Sequence, residues 1–384
     1  MSGAEATSGG RPLPGGAFVV GLAALSGMGP ARLAALLQRW DPEQAWHATC
    51  GGQVHRDAGV VEGARGFSAE LSRRWALEAA GIDVAGRFEA HLSAAVGITF
   101  AGAAGFPDAL AGDPEAPAVL FHRGSLEVLD RPRVAVVGTR RCTSAGRATA
   151  RELGRDLAGA GVCVVSGLAS GIDGEAHLGS LEADAAAPVA VVATGLDVVY
   201  PMANADLWRR VASAGCVLSE YPLGTRPERW RFPARNRILA GLADVVVVVE
   251  SHARGGSLHT VDAALERDRP VMAVPGPVRS PASKGTNDLL AAGSAPVRDA
   301  GDVLAVLGLD GAAATRGRAD PADPSDAGAS ALVQALGWEP ATVEELALRL
   351  DRPLGPLAVD LSELEHQGWV VRRGSWYERT VRPG

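Results

Sequence analysis

The residues best suited to chemistry stand at the ends of short β-branched runs. After residues 134–137 comes Gly138-Thr139-Arg140-Arg141, with Ser144 and Gly146 opening a helical pattern. Glycine lets backbone come close to an anion, a helix N-terminus favours negative charge, and arginine adds a planar, two-pronged donor. The turn is neither a Walker A loop, which needs Gly-Lys-Ser/Thr, nor the dinucleotide Gly-x-Gly-x-x-Gly fingerprint. It reads as a phosphate-binding turn; the plainer reading is a tight turn with a solvated arginine.

Similar chemistry follows other runs. Ser166-Gly167-Leu168-Ala169-Ser170-Gly171-Ile172-Asp173 follows residues 162–165 and suits an oxyanion. Asp173 reads either as an acceptor for a sugar or base or as a carboxylate at a helix start. His177 reads as a packed helix residue rather than a catalyst. Gly195-Leu196-Asp197 leads to Tyr200-Pro201 and Asn204; Asn204 reads as a helix N-cap, and Tyr200 as a base-stacking ring or a half-buried core residue. Gly255-Gly256-Ser257 and Ser283-Lys284-Gly285-Thr286-Asn287 follow two later runs.

The densest positive charge is Arg226, Arg229, Arg231, Arg235 and Arg237, opposed only by Glu228, with Trp230 and Phe232 interleaved. Cations for a backbone and aromatic faces for bases are what single-stranded nucleic acid requires. The alternative is a solvated basic loop with its aromatics folded inward. No Ser/His/Asp set, paired acids or metal ligands converge, so the composition suits holding a phosphate chain more than breaking one.

Elements that place these loops can be read from periodicity. Residues 134–137, 162–165, 189–192, 216–218, 245–249 and 271–274 are short apolar runs with helical patterns between them. Runs apolar on both faces predict a doubly wound parallel sheet, whose ligands bind beyond the carboxyl ends of its strands. Residues 98–128 are expected to add a strand or two. Ala150, Leu153 and Leu157 mark one face of a helix over 144–160. Residues 1–16 are expected to be a disordered tail, 17–96 a helical domain, 97–310 the sheet domain, 311–327 a linker and 328–384 a winged helix. In the helical part, Gly27-Met28-Gly29 between two amphipathic stretches fits a helix-hairpin-helix, or a small bundle that only packs on its neighbour. In the last part, Thr342 and Glu345 form a capping box, Leu357, Leu361 and Leu364 face inward, and a turn at Gly374 joins two strands.

The net charge of −7 excludes a generally basic coat, so a nucleic-acid site must be a local patch. Lys284 is the only lysine. Cys50, Cys142, Cys163 and Cys216 lack metal or disulfide spacing and read as free thiols, with no metal or other cofactor expected. The most apolar long stretch, 17–37, is broken by Gly27, Gly29, Pro30 and Arg32, which argues against a membrane span. A soluble cytoplasmic protein is expected.

Taken together, Val137-Gly138-Thr139-Arg140, Ser166-Gly167 through Gly171-Ile172-Asp173 with Ala176-His177, Gly195-Leu196-Asp197, Tyr200-Pro201, Ser219-Glu220-Tyr221-Pro222, Phe232-Pro233-Ala234-Arg235-Asn236-Arg237, Gly255-Gly256-Ser257, and Val274-Pro275-Gly276 through Gly285-Thr286-Asn287 resemble the DprA/Smf family of DNA-processing proteins. The resemblance implies an extended Rossmann-like fold, an N-terminal helical domain of the helix-hairpin-helix or SAM-like type and a C-terminal winged helix. It implies a non-enzymatic protein that binds single-stranded DNA, forms a homodimer and helps load the RecA recombinase onto incoming DNA in natural transformation. Carried over to these positions, the pocket and its rim would comprise Gly138, Thr139, Arg140, Ser166, Gly167, Ser170, Gly171, Phe232, Arg235, Asn236, Arg237, Gly256, Ser257 and Lys284.

The chain departs from the family pattern at Phe106-Pro107, where Tyr-Pro is usual, and at His259, where Leu or Ile is usual. Its last domain carries six arginines against eight acids, so a protein partner or a dimer contact is as good a reading of the wing as DNA. A competing class is a nucleotide-binding Rossmann-like enzyme that hydrolyses nucleoside monophosphates, or a nucleotide sensor. Such hydrolases carry Pro-Gly-Gly-x-Gly-Thr before a catalytic Glu; here Gly255-Gly256-Ser257-Leu258 meets no acid until Asp262.

Overall fold

A computed structural model describes residues 7–8, 11–309, 327–337 and 340–380. The expected linker, apart from Ala327, and half of the expected N-terminal tail (residues 1–6, 9 and 10) lie outside them; within the tail, Thr7–Ser8 pairs antiparallel with Arg11–Pro12. The chain divides into two compact units, the larger formed by residues 1–142 and 149–310 and the smaller by residues 143–148 and 311–384.

The larger unit is built on a nine-stranded sheet. Its strands are β1 (Gly97–Phe100), β2 (Val119–Gly124), β3 (Arg133–Val137), β4 (Cys163–Ser166), β5 (Val189–Val192), β6 (Cys216–Ser219), β7 (Val245–Val248), β8 (Val271–Ala273) and β9 (Ala295–Pro296). They lie in the order β9-β8-β7-β3-β4-β5-β6-β2-β1. The strands β3 to β9 run parallel, and β2 and β1 add an antiparallel edge. This is the doubly wound sheet expected from the valine runs.

The pleat explains why those runs are apolar throughout. In β3, Val134 and Val136 meet α7 (Ser144–Gly159) through Ala150, Leu153 and Leu157. Ala135 and Val137 point the other way, onto Ile238, Leu239 and Leu242 of α10 (Arg231–Leu242). All four β3 residues are almost fully buried, and each valine contributes about 1.5–3 kcal/mol of burial. Gly161 ends α7: its φ of +84° is a left-handed turn that suits glycine, and Val162 N–H returns to the Leu157 carbonyl at 3.0 Å.

The N-terminal helices do not stand apart from the sheet. Their first helix, α1 (Gly15–Ala23), is apolar all round, and Phe18, Val19, Val20 and Leu22 are buried. They share one hydrophobic core with Val119 and Phe121 of β2, Val192 of β5, Val217 of β6 and Trp208 of the helix over Ala205–Ala214. The Gly27-Met28-Gly29 turn does join α1 to α2 (Pro30–Arg39). Its polar groups are held from within: Arg32 donates to the Gly27 carbonyl at 2.6 Å and Trp75 Nε1 to the Ser26 carbonyl at 2.9 Å.

The smaller unit is a winged helix. Helices over Ala327–Leu336, Val343–Leu350 and Leu354–His366 surround a core of Leu332, Val333, Leu346, Leu357, Leu361 and Leu364. The capping box forms: Thr342 Oγ1 accepts from Glu345 N–H at 3.3 Å, and Glu345 accepts from Thr342 N–H at 3.0 Å. Val370–Arg373 and Trp376–Arg379 pair antiparallel across the Gly374 turn, forming the wing.

Candidate nucleic-acid interface

The sheet order reverses between β3 and β7: the chain winds from β3 outward to β6, then returns to place β7 on the other side of β3. A crevice beyond the carboxyl ends forms at such a reversal. Its walls are the Gly138 turn and the segment after β7, tied by Thr139 N–H to the Glu250 carbonyl at 2.8 Å. Gly138 has no room for a side chain, since a Cβ there would lie 2.6 Å from Ile172 and 2.8 Å from the Glu250 carbonyl. From sequence this glycine suits an approaching anion; in the fold, protein neighbours on both sides require it.

The Gly138 and Ser166–Gly171 turns interlock. Gly171 has φ +85°, and a Cβ on it would sit 2.5 Å from the Thr139 carbonyl. Asp173 lies beneath both, 6% exposed, with the backbone N–H donors of Gly138 and Gly167 drawing on its carboxyl. Burial pushes its carboxyl up, against the pull of Arg235, Arg140 and those two donors. Ser166 Oγ is also internal, donating to the Val136 carbonyl at 2.7 Å. Ser170 is half-buried. Asn204 does not cap a helix with its side chain: Nδ2 donates to the Leu168 carbonyl at 2.9 Å, holding a residue whose φ is +53°. That tertiary bond displaces the local cap, because the left-handed Leu168 turn presents its carbonyl to Asn204. His177 is fully buried, and burial pushes its imidazole down to about 3, so it is neutral near pH 7.

The five arginines expected as one basic patch separate into two layers. Arg235 is 5% exposed; it donates to the Val191 carbonyl, packs directly against Gly167 and is the counter-charge of Asp173. Burial pushes its guanidinium down to about 10, so it remains a cation at neutral pH. Arg237 pairs with buried Glu220 at 2.5 Å. Arg231 pairs with Glu228 at 2.9 Å and lies over the Tyr221 ring. Arg226 and Arg229 remain exposed. Sequence proximity brought the five together, but one turn of α10 points Arg235 inward while the residues before the helix stay outside.

The outer layer is continued by residues far apart in sequence. Arg140 is exposed, and its guanidinium lies 4.9 Å from the Phe232 ring centre. Tyr200 stands on the same ring at 5.5 Å and is 42% exposed. Asn236 Nδ2 donates to the Gly256 carbonyl at 3.1 Å, joining α10 to the Gly255–Ser257 turn. Gly256 is exposed, whereas Ser257 is buried on Ser251 at 2.9 Å. Lys284 is exposed and pairs with Asp288 at 3.0 Å. The rim thus offers cations, aromatic faces and small polar groups, while Asp173, Glu220 and His177 are buried beneath it. Glu220 and Asn204 are the supports that spacing could not reveal. An acid before Tyr-Pro, and an asparagine ahead of a helix, each have ordinary local readings.

Among the described residues, no group of three or more His, Cys, Asp or Glu is placed to hold a metal ion, and no helix is long and apolar enough to cross a membrane.

Residues 97–308 match the family model described as DNA recombination-mediator protein A, and residues 316–374 match the DprA winged helix domain. The DNA processing protein DprA of Streptococcus pneumoniae (strain ATCC BAA-255 / R6) is 42% identical over 191 residues, which cover 50% of this chain and 67% of that one. The X-ray structure of DprA from Streptococcus pneumoniae superposes with a TM-score of 0.62 at 31% identity, over 75% of this chain and 95% of that one. DNA processing protein A from Helicobacter pylori, described for its single-stranded DNA binding mode, superposes with a TM-score of 0.50 at 29% identity, over 56% of this chain and 96% of that one. With its sheet domain and its winged helix both matched, and the fold of the Streptococcus pneumoniae relative shared over three quarters of its length, this chain belongs to the DprA/Smf family of DNA-processing proteins.

Proposed function

We propose that this protein is a single-stranded-DNA-binding recombination mediator that protects incoming strands and helps load the RecA recombinase during natural transformation. It acts in the cytoplasm, as a homodimer, and catalyses no reaction of its own. The observation that carries this reading is the Arg140–Phe232–Tyr200 row at the reversal of the sheet, with exposed Arg140 and Tyr200 on either side of the half-buried Phe232 ring. Phosphates take the cation and bases take the rings. The Helicobacter pylori relative, described as binding single-stranded DNA, supports the ligand class.

Within the site, Thr139, Arg140, Ser170, Phe232, Asn236 and Gly256 meet the strand and Lys284 extends the rim. Gly138, Ser166, Gly167, Gly171, Arg235, Arg237 and Ser257 hold those residues in place from behind. The acids that an N-glycosidic or phosphoryl hydrolase would need to expose, Asp173 and Glu220, are buried, and Glu220 is paired with Arg237.

Binding of a labelled oligothymidylate at several salt concentrations tests the reading. A steep salt dependence that shallows in Arg140→Ala is expected, because each phosphate contact on a single strand contributes about 0.7 to the log–log slope. A flat dependence sinks the proposal. RecA assembly on strands coated with single-strand-binding protein should quicken when this protein is added, and sedimentation should give a dimer. Base release from nucleoside monophosphates would support the enzyme reading instead.

A further inference from the structure

We propose that Trp230 is a base-stacking plate, a second aromatic position on the DNA path beside Phe232. This rests on the single-stranded-DNA reading above and adds a residue and a mode of contact to it.

Trp230 stands immediately before α10, and 52% of its surface is exposed. A large exposed aromatic on a loop is ordinarily mobile, yet this one is held on three sides. Its indole N–H donates to Glu228 Oε2 at 2.5 Å. The Tyr221 ring meets it edge to face, with centroids 6.4 Å apart at 85°. The Arg231 guanidinium lies 5.2 Å from its ring centre and 4.9 Å from that of Tyr221. Glu228 also pairs with Arg231 at 2.9 Å, so the one acid of the loop fixes both the plate and the cation behind it.

Two consequences follow. The plate is already ordered, so stacking on it costs little side-chain entropy. Its single polar atom is bonded to Glu228, so it offers a π-face without a base-reading donor, which makes the contact tolerant of sequence. Arg226 and Arg229 flank it, exposed and without an acidic partner among the described residues, and supply the phosphate contacts on either side.

The test compares oligothymidylate with an abasic strand of equal length, by fluorescence anisotropy over a range of salt. Trp230→Ala should weaken oligothymidylate binding roughly ten-fold, within the range of about 5- to 150-fold for one stacked base. It should leave abasic binding and the salt slope unchanged. Trp230→Phe should retain most of the affinity. Arg229→Ala should weaken both strands and lower the slope by about 0.7. Glu228→Gln, which keeps an acceptor for the indole, should bind oligothymidylate better than Glu228→Ala. Equal weakening of both strands by Trp230→Ala, or none, overturns the plate while leaving the Arg140 groove standing. A wild type that binds neither strand overturns both.

Discussion

The Arg140 guanidinium rests 4.9 Å from the centre of the Phe232 ring, although one belongs to the turn after β3 and the other to the first turn of α10. The contact orients a long, otherwise free cation along the rim of the crevice. With Arg140 exposed, such a stack contributes about 0.5–1 kcal/mol. Under the proposed function, its larger effect is to hold the guanidinium where it would grip a phosphate beside a stacked base.

Arg140→Ala should therefore weaken binding of single-stranded DNA and reduce the salt slope by about 0.7. Arg140→Lys should keep the slope but recover only part of the affinity, because an ammonium lacks the planar fork. Both variants should unfold at the wild-type urea concentration, since Arg140 is exposed. Anisotropy and urea titration on the same preparations separate the two effects.

Gly171→Ala should destabilise the larger unit by about 2 kcal/mol or more. It imposes a left-handed φ on alanine and drives a Cβ to 2.5 Å from the Thr139 carbonyl. The urea midpoint is the measurement. An unchanged midpoint would contradict the interlocked turns.

Arg235→Ala should destabilise the larger unit by about 1–3 kcal/mol, because it removes a buried cation that donates to the Val191 carbonyl and draws on the buried Asp173 carboxyl. Arg235→Met combined with Asp173→Asn should be more stable than Arg235→Ala, since both charges leave together. A double-mutant cycle in urea reads the coupling. Loss of DNA binding by Arg235→Ala should follow loss of the fold, in contrast to Arg140→Ala.

His177 should make the protein acid-sensitive. Its folded pKa, pushed down to about 3, lies below the unfolded value of about 6.5. Between those values the unfolded chain binds the extra proton, so stability rises with pH, by up to about 1.4 kcal/mol per unit. This contribution is complete above pH 6.5 and is lost as pH falls toward 3. The raised carboxyls of Asp173 and Glu220 act in the opposite sense over their own range. Comparing wild type with His177→Gln by urea unfolding between pH 7 and pH 4 cancels their contribution. The variant should show the shallower pH dependence.

Much of the fold is legible in the chain because it depends on local pattern. The valine runs at 189–192 and 245–249 declare buried strands, since a strand covered by helices on both faces can bear no polar side. Thr342 and Glu345 announce a helix start by their spacing alone, and the capping box forms as read. The strand-end loops stand out in the sequence because glycine, serine and arginine cluster there.

The division of labour inside the site depends on tertiary structure. Arg235 and Arg229 are the same residue type a few positions apart, and only the direction of α10 makes one a buried counter-ion and the other an exposed cation. Asn204 has a capping residue's sequence context, yet the left-handed Leu168 turn claims its side chain. The shared core of the N-terminal helices with β2, β5 and β6 is a contact between distant segments, which no local periodicity encodes. The sequence by itself determined which runs must be buried and where glycine, serine and arginine gather at strand ends. The fold decided which of those residues face solvent, because charge and burial are settled by neighbours that the chain brings together only when it closes.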